Sequence, residues 1–180
     1  MAEGIILLGL NGCGKTTVGR SLAHRLGFNR LDVEDFYFLP SEIPYSRSRT
    51  HDEVQELLLQ EIRACTGYVL SCVRFNWNQE IENSLRLAVV LSTSSELRSN
   101  RIKQREEQRF GSRVLPGGDM HESQMRFRQF AASRSEREVT ESINRLACPV
   151  VVLDASRPVK ELVEEIISAY NGNTEMSPEQ

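Results

Sequence analysis

Gly9-Leu10-Asn11-Gly12-Cys13-Gly14-Lys15-Thr16 is the stretch whose reading decides the fold. It satisfies the pattern G-x-x-x-x-G-K-[ST] without a gap, and its flanks are the ones that pattern needs. Upstream lies the apolar run Ile5-Ile6-Leu7-Leu8; downstream, residues 16–26 have amphipathic helical spacing. Glycines let the backbone turn tightly and aim its N–H groups inward, where they cradle phosphate oxygens. A helix beginning near Lys15 adds its positive dipole end and its free N–H groups. The expected cradle is therefore Asn11, Gly12, Cys13, Gly14, Lys15, Thr16 and Thr17. Lys15 is the expected catalytic cation on the β- and γ-phosphates, and the Thr16 hydroxyl an expected Mg²⁺ ligand. ATP and Mg²⁺ are the cofactors this setting predicts.

Outward from the loop, the chain alternates strands and helices. Strands are predicted over 4–9, 29–33, 67–73, 87–91 and 149–153, each apolar almost throughout. Helices are predicted over 16–26, 51–64, 78–85, 95–108, 120–147 with a bend, and 159–170. Buried strands alternating with helices predict an α/β, three-layer P-loop NTPase fold with a five-stranded parallel sheet covered on both faces. One domain over 1–170 is expected, with 171–180 as a flexible C-terminal tail. Ligand sites in such sheets lie at the carboxyl ends of the strands. The phosphate loop follows the first strand, 32–35 the second, 71–76 the third and 154–157 the fifth, so the chemistry-bearing residues converge on one edge.

Asp32, Glu34 and Asp35 follow the second strand. A carboxylate there holds Mg²⁺ through water or orients an attacking hydroxyl, the two needs of phosphoryl transfer. Asp32 is the expected metal partner of Thr16, and Glu34 and Asp35 are the catalytic candidates. The alternative is a turn that uses Asp as a helix cap. Further on, Arg105, Arg109 and Arg113 recur every four residues and run into a break holding Gly111, Gly117 and Gly118. Arginines at the hinge of a glycine-rich segment suit a small lid, about 109–120, that closes over the phosphates, excludes water and supplies cationic charge. Arg105 and Arg109 are expected to touch the nucleotide, and Arg134 and Arg137 to arrive from the next helix. Arg47, Arg49 and Arg74 are weaker candidates for a second substrate's anionic group. Trp77 reads as a packing residue.

Composition narrows the remaining classes. Hydrophobic residues form 39% and charged residues 26% of the 180, as in ordinary globular chains. A formal net charge of −3 supplies no basic field for nucleic acid. Cys13, Cys65, Cys72 and Cys148 show no metal-binding or disulfide spacing and read as reduced thiols, which makes the cytoplasm the expected address. No apolar run approaches membrane-spanning length. A monomer or small homo-oligomer is expected, with ATP and a small-molecule acceptor as its partners.

The chain resembles the small P-loop kinases of the shikimate kinase and nucleoside monophosphate (adenylate) kinase group. The likeness is densest from Leu7 to Phe38: Gly-Cys-Gly-Lys-Thr-Thr-Val-Gly-Arg, then Leu-Gly-Phe, then Asp32-Val33-Glu34-Asp35. That resemblance implies transfer of the γ-phosphate of ATP to a nucleotide or hydroxylated metabolite. It also implies that Asp32 supports Mg²⁺ and Glu34 contacts the acceptor hydroxyl. After the third strand, Ser71-Cys72-Val73-Arg74-Phe75 replaces the acceptor motifs of both groups. Asp154-Ala155-Ser156-Arg157-Pro158 falls where these kinases wrap adenine, so the resemblance implies cofactor contacts at Ser156 and Arg157. A nucleotide-dependent switch or weak ATPase acting on a macromolecular partner is the alternative.

Overall fold

The computed structural model describes residues 2–42 and 46–175, with side chains described to residue 172 in the last helix. Five parallel strands, β1 (Glu3–Leu8), β2 (Asn29–Asp32), β3 (Gly67–Cys72), β4 (Leu85–Ser92) and β5 (Val150–Asp154), form one sheet in the order β2-β3-β1-β4-β5. The helices are α1 (Lys15–Leu26), α2 (Val33–Tyr37), α3 (His51–Arg63), α4 (Gln79–Ser84), α5 (Ser95–Phe110), α6 (His121–Ser133), α7 (Arg137–Ile143) and α8 (Val159–Glu175).

Alternation along β1 sorts its side chains to opposite faces, and each face finds its own helices. Ile5 and Leu7 pack with Val18 and Leu22 of α1 and Leu162, Val163 and Ile166 of α8. Ile6 and Leu8 pack with Val54, Leu58 and Ile62 of α3, Ile81 of α4 and Val139 of α7. The result is the three-layer α/β arrangement expected. Ile5, Ile6, Leu7 and Leu8 are all fully buried, each worth roughly 1.5–3 kcal/mol relative to an exposed position.

Helix boundaries follow local chemistry. Gly27 ends α1 in the left-handed region at φ 67°, which costs glycine no Cβ clash. Thr50 and Glu53 form a reciprocal capping box that starts α3. Ser94 caps α5 through the Leu97 N–H.

The connection after β2 contains a short helix, α2, whose first turn is capped by the Asp32 side chain, as the helix-cap alternative for that residue has it. Three expectations are corrected. The predicted long helix over 120–147 is two helices, α6 and α7, separated by extended backbone at Arg134. β5 is an edge strand rather than a buried one, with β4 as its one strand neighbour and Val152 65% exposed. The last helix continues to Glu175, past its expected end at Tyr170; residues 176–180 lie outside the described residues.

Sheet order fixes the location of the site. β1 lies between β3 and β4, and the registers Leu7↔Ser71 and Asp32↔Ser71 bring the carboxyl ends of β1, β2 and β3 level. The connection after β1 runs toward β2 and the one after β3 crosses to β4, so the strand order reverses between β1 and β3 and a crevice opens at their carboxyl ends.

Candidate active site

The phosphate loop is shaped by two left-handed glycines. Gly12 has φ 83° and Gly14 φ 104°, values that other residues reach only with strain. A Cβ on Gly12 would come within 2.5 Å of the Arg98 carbonyl oxygen, so the position excludes side chains for a second reason. Gly14 precedes α1 without a side-chain cap, leaving that helix's first N–H groups open to an anion. Lys15 folds back over the loop, its Nζ donating to the carbonyls of Gly9 (2.7 Å) and Leu10 (3.3 Å). It remains on the wall of the cavity beside the loop.

Next to it, Thr16 Oγ1 donates a 2.8 Å hydrogen bond to Asp32 Oδ2. Asp32 is buried, and its other oxygen accepts from the Glu34 N–H at 3.3 Å. A hydroxyl and a carboxylate in direct contact at the foot of a phosphate loop are hard oxygen donors of the kind Mg²⁺ takes. No group of three potential metal-binding side chains occurs among the described residues.

The cavity has a volume of about 1270 Å³. Asn11, Lys15, Asp32 and Glu34 form its floor, with Tyr37, Arg74 and Trp77 on the side of the second and third strands. Arg105 and Arg109 of α5, Phe127 and Phe130 of α6, and Arg134 and Glu138 complete its lining. This is a concave site with apolar walls and a few converging charged groups, the usual form of a small-molecule site. Trp77 is both packing residue and wall: it is nearly buried and stacks on His51 with ring centres 4.8 Å apart.

The candidate residues separate cleanly by place. Glu34 reaches the cavity and accepts from Asn11 Nδ2 at 3.5 Å. Asp35 does not line the cavity; it is exposed and bound to Arg30 at 2.7 Å. Arg105 and Arg109 line the cavity, whereas Arg113 lies outside it, holding Asp119 through two guanidinium nitrogens at 3.0 and 2.7 Å. That contact holds the Asp119 carboxyl below its usual range. Ser156 and Arg157 sit away from the cavity in the turn after β5. Ser156 N–H donates to Asp154 Oδ1 at 2.9 Å, and Arg157 pairs with Glu165 at 2.6 Å. Arg137 is exposed and pairs with Glu141.

The segment expected as a lid forms a series of turns between α5 and α6. A 3-10 turn, Gly111–Val114, begins it, and the Met120 N–H closes back on the Arg113 carbonyl at 3.0 Å. Val114 and Met120 anchor it by burial. Beneath, Glu106 is buried with Oε2 accepting from Arg128 at 2.9 Å and Oε1 without a partner. Burial pushes the Glu106 carboxyl above its ordinary value, against the opposing pull of Arg128.

Two groups make contacts that the sequence does not announce, although the pattern Leu97-Arg98-x-x-Arg101 itself resembles the nucleoside monophosphate kinases. Arg98 and Arg101, one helical turn apart on α5, bind the phosphate loop from outside. Arg98 donates to the Asn11 carbonyl at 3.4 Å; Arg101 donates to those of Cys13 (3.2 Å) and Ala155 (2.9 Å). Their i, i+3 spacing was a usable signal for a shared face. Glu138 is the other: it takes two hydrogen bonds from Arg134, at 3.2 and 2.7 Å, and one from Arg74 at 2.9 Å. Arg134 also donates to Asn11 Oδ1 at 3.3 Å. Nothing in the spacing of Arg74 and Glu138, 64 residues apart, announces that contact.

Comparisons with known proteins agree with this architecture. The AAA domain family matches residues 5–126. An uncharacterized protein of Bacillus subtilis, YqaC, is 27% identical over 181 residues, covering 96% of this chain and 100% of that protein. A probable gluconokinase of Dictyostelium discoideum is 25% identical over 183 residues, covering 91% of this chain and 84% of the relative. Among solved structures, shikimate kinase from Acinetobacter baumannii in complex with shikimate superposes with a TM-score of 0.55 at 20% identity, over 96% of this chain and 95% of that one. A likeness at that identity speaks for the fold alone. No helix among the described residues is long and apolar enough to cross a membrane.

Proposed function

The chain belongs to the AAA domain family, and from that premise we propose that it is an ATP-dependent small-molecule kinase, moving the γ-phosphate of ATP to a hydroxylated acceptor. The contact that carries this reading is the one between Thr16 and Asp32, at the foot of the phosphate loop and beside a cavity large enough for a second substrate. A relative whose name specifies an activity, the probable gluconokinase, is a small-molecule kinase and supports it.

In this reading the N–H groups from Asn11 to Thr17 hold the triphosphate, and Lys15 leaves its carbonyl partners for the β- and γ-phosphates. Thr16 and Asp32 would hold Mg²⁺, which would supply positive charge to the phosphate oxygens. Glu34 orients the acceptor. The acceptor's hydroxyl oxygen bonds to the γ-phosphorus as the bond to the β–γ bridging oxygen breaks. The hydroxyl proton passes to the Glu34 carboxylate, and the bridging oxygen leaves on ADP. Arg105 and Arg109 face the same space and stabilise the charge that spreads over the transferred group. Arg113 acts indirectly, fixing the lid turn through Asp119. Ser156 and Arg157 border the adenine end, with Arg101 linking their turn to the phosphate loop.

Replacing Lys15 by alanine tests the assignment. Transfer from ATP is expected to be lost while the thermal unfolding transition survives; near-normal turnover in that variant would remove the phosphate loop from the mechanism.

A further inference from the structure

Two helices present the same pair of side-chain types to the cavity. On α5, Glu106 stands one turn before Phe110; on α6, Gln124 stands one turn before Phe127. All four line the cavity. That spacing puts each polar group beside a ring on one helical face. Glu106 and Gln124 are both buried, yet neither is fully satisfied. Glu106 Oε2 accepts from Arg128 at 2.9 Å, whereas Oε1 has no partner. The Gln124 carboxamide makes no hydrogen bond among the described residues. Buried polar groups are almost always paired, so two open ones on one cavity wall mark a place for a polar ligand. Phe110 and Phe127 are half-buried and leave apolar surface beside them. Phosphoryl transfer gives none of these four residues a task.

We propose that this α5–α6 wall is a specificity site for a flat ring on the acceptor, and that the ring is a nucleobase carrying an exocyclic amino group. This rests on the kinase reading and names the substrate class for the same cavity. A glutamate oxygen accepts from an exocyclic amino group, and a glutamine carboxamide meets the donor and acceptor edge of a base with two hydrogen bonds. Phenyl rings supply the stacking surface that flat heterocycles use. An open-chain polyol has no flat face to set against Phe110 and Phe127. In the kinase reading the adenine of ATP lies toward Ser156 and Arg157, away from the cavity, so the wall is left to the acceptor. A volume of about 1270 Å³ accommodates a base together with its sugar. The sugar would carry the reacting hydroxyl toward Glu34 and Lys15 on the cavity floor.

The test uses the ¹⁵N-labelled full chain saturated with MgADP, so that the phosphate loop and the adenine end are both filled. The side-chain amide resonances of Gln124 are followed while adenosine, inosine, cytidine, uridine and ribose are added in separate titrations. Saturable movement is expected with adenosine or cytidine, and none with ribose. In at least one pair, adenosine against inosine or cytidine against uridine, the amino-bearing member should bind about tenfold tighter, the scale of one buried hydrogen bond. Glu106→Leu should abolish that difference. Should the leucine variant fail to fold, Phe127→Leu is expected to weaken nucleoside binding by about five- to tenfold, as loss of one stacking ring implies. Nucleosides that leave Gln124 unmoved, pairs that bind equally in wild type, ribose that moves Gln124 as far as the nucleosides do, or variants that bind as wild type does overturn the proposal. MgADP binding is read separately at the phosphate-loop amides. Its failure would defeat the kinase reading itself, whereas a silent Gln124 in MgADP-loaded protein defeats the nucleobase site alone.

Discussion

Thr16 and Asp32, sixteen residues apart, are joined by a 2.8 Å hydrogen bond that spans from the start of α1 to the end of β2. Asp32 does two tasks there, receiving the Thr16 hydroxyl and capping α2 through the Glu34 N–H. Asparagine keeps the cap and loses the charge. Asp32→Asn is therefore expected to fold normally while turnover drops by about a hundredfold or more, the scale of losing one preorganised electrostatic group. The Mg²⁺ concentration for half-maximal rate should rise in the same titration. An unchanged Mg²⁺ requirement would remove Asp32 from the metal site.

Glu34 and Asp35 are neighbours with opposite surroundings, one on the cavity and one tied to Arg30 outside it. Steady-state rates should separate them. Glu34→Gln is expected to lower kcat by about 10²-fold, the usual contribution of a general base. Asp35→Asn should stay within about twofold, as exposed ion pairs contribute little. The reverse order would move the catalytic role to Asp35.

Gly12 combines a left-handed backbone with a carbonyl 2.5 Å from where a Cβ would lie. Gly12→Ala should lower stability by about 1–3 kcal/mol, the cost of backbone strain at such a site. Nucleotide affinity should fall with it. Chemical denaturation and ATP titration on the same sample check both parts.

Burial raises the Glu106 carboxyl above its usual 4.5. The folded state consequently retains this proton over a pH range in which the unfolded chain has released it. Stability from the group is complete below the unfolded value and declines as pH rises through the folded one. Glu106→Gln removes that decline. Its melting temperature relative to wild type should therefore become more favourable between acidic and neutral pH in a thermal-shift series. A difference independent of pH would mean that Arg128 fully offsets the burial.

Much of this architecture was legible because it is local. Residues 5–16 state a strand, a glycine turn and a helix start in their own chemistry, and the apolar strands that follow define a parallel sheet. Glu34, Arg105 and Arg109 were legible as cavity residues because strand ends and helical periodicity set their direction. Asp35 was not separable from Glu34, since a five-residue helix decides which of them faces inward. Arg113 and Asp119 were obscured by the turn that pairs them. Glu138, Arg74 and Arg134 meet only through tertiary packing, and a charged residue on a short helix carries no mark of its partner. The exposure of β5 was equally hidden, because an edge strand and a central one share the run Val150-Val151-Val152-Leu153.

The most direct measurement is ATP consumption with Mg²⁺ across nucleoside monophosphates, nucleosides, shikimate, gluconate and related hydroxylated metabolites, with ³¹P NMR of the products. A small-molecule kinase predicts that one acceptor raises turnover well above the water background and gains one phosphate for each ADP formed. Slow hydrolysis at the same rate with every acceptor, yielding only ADP and inorganic phosphate, would contradict it and favour a nucleotide-driven switch.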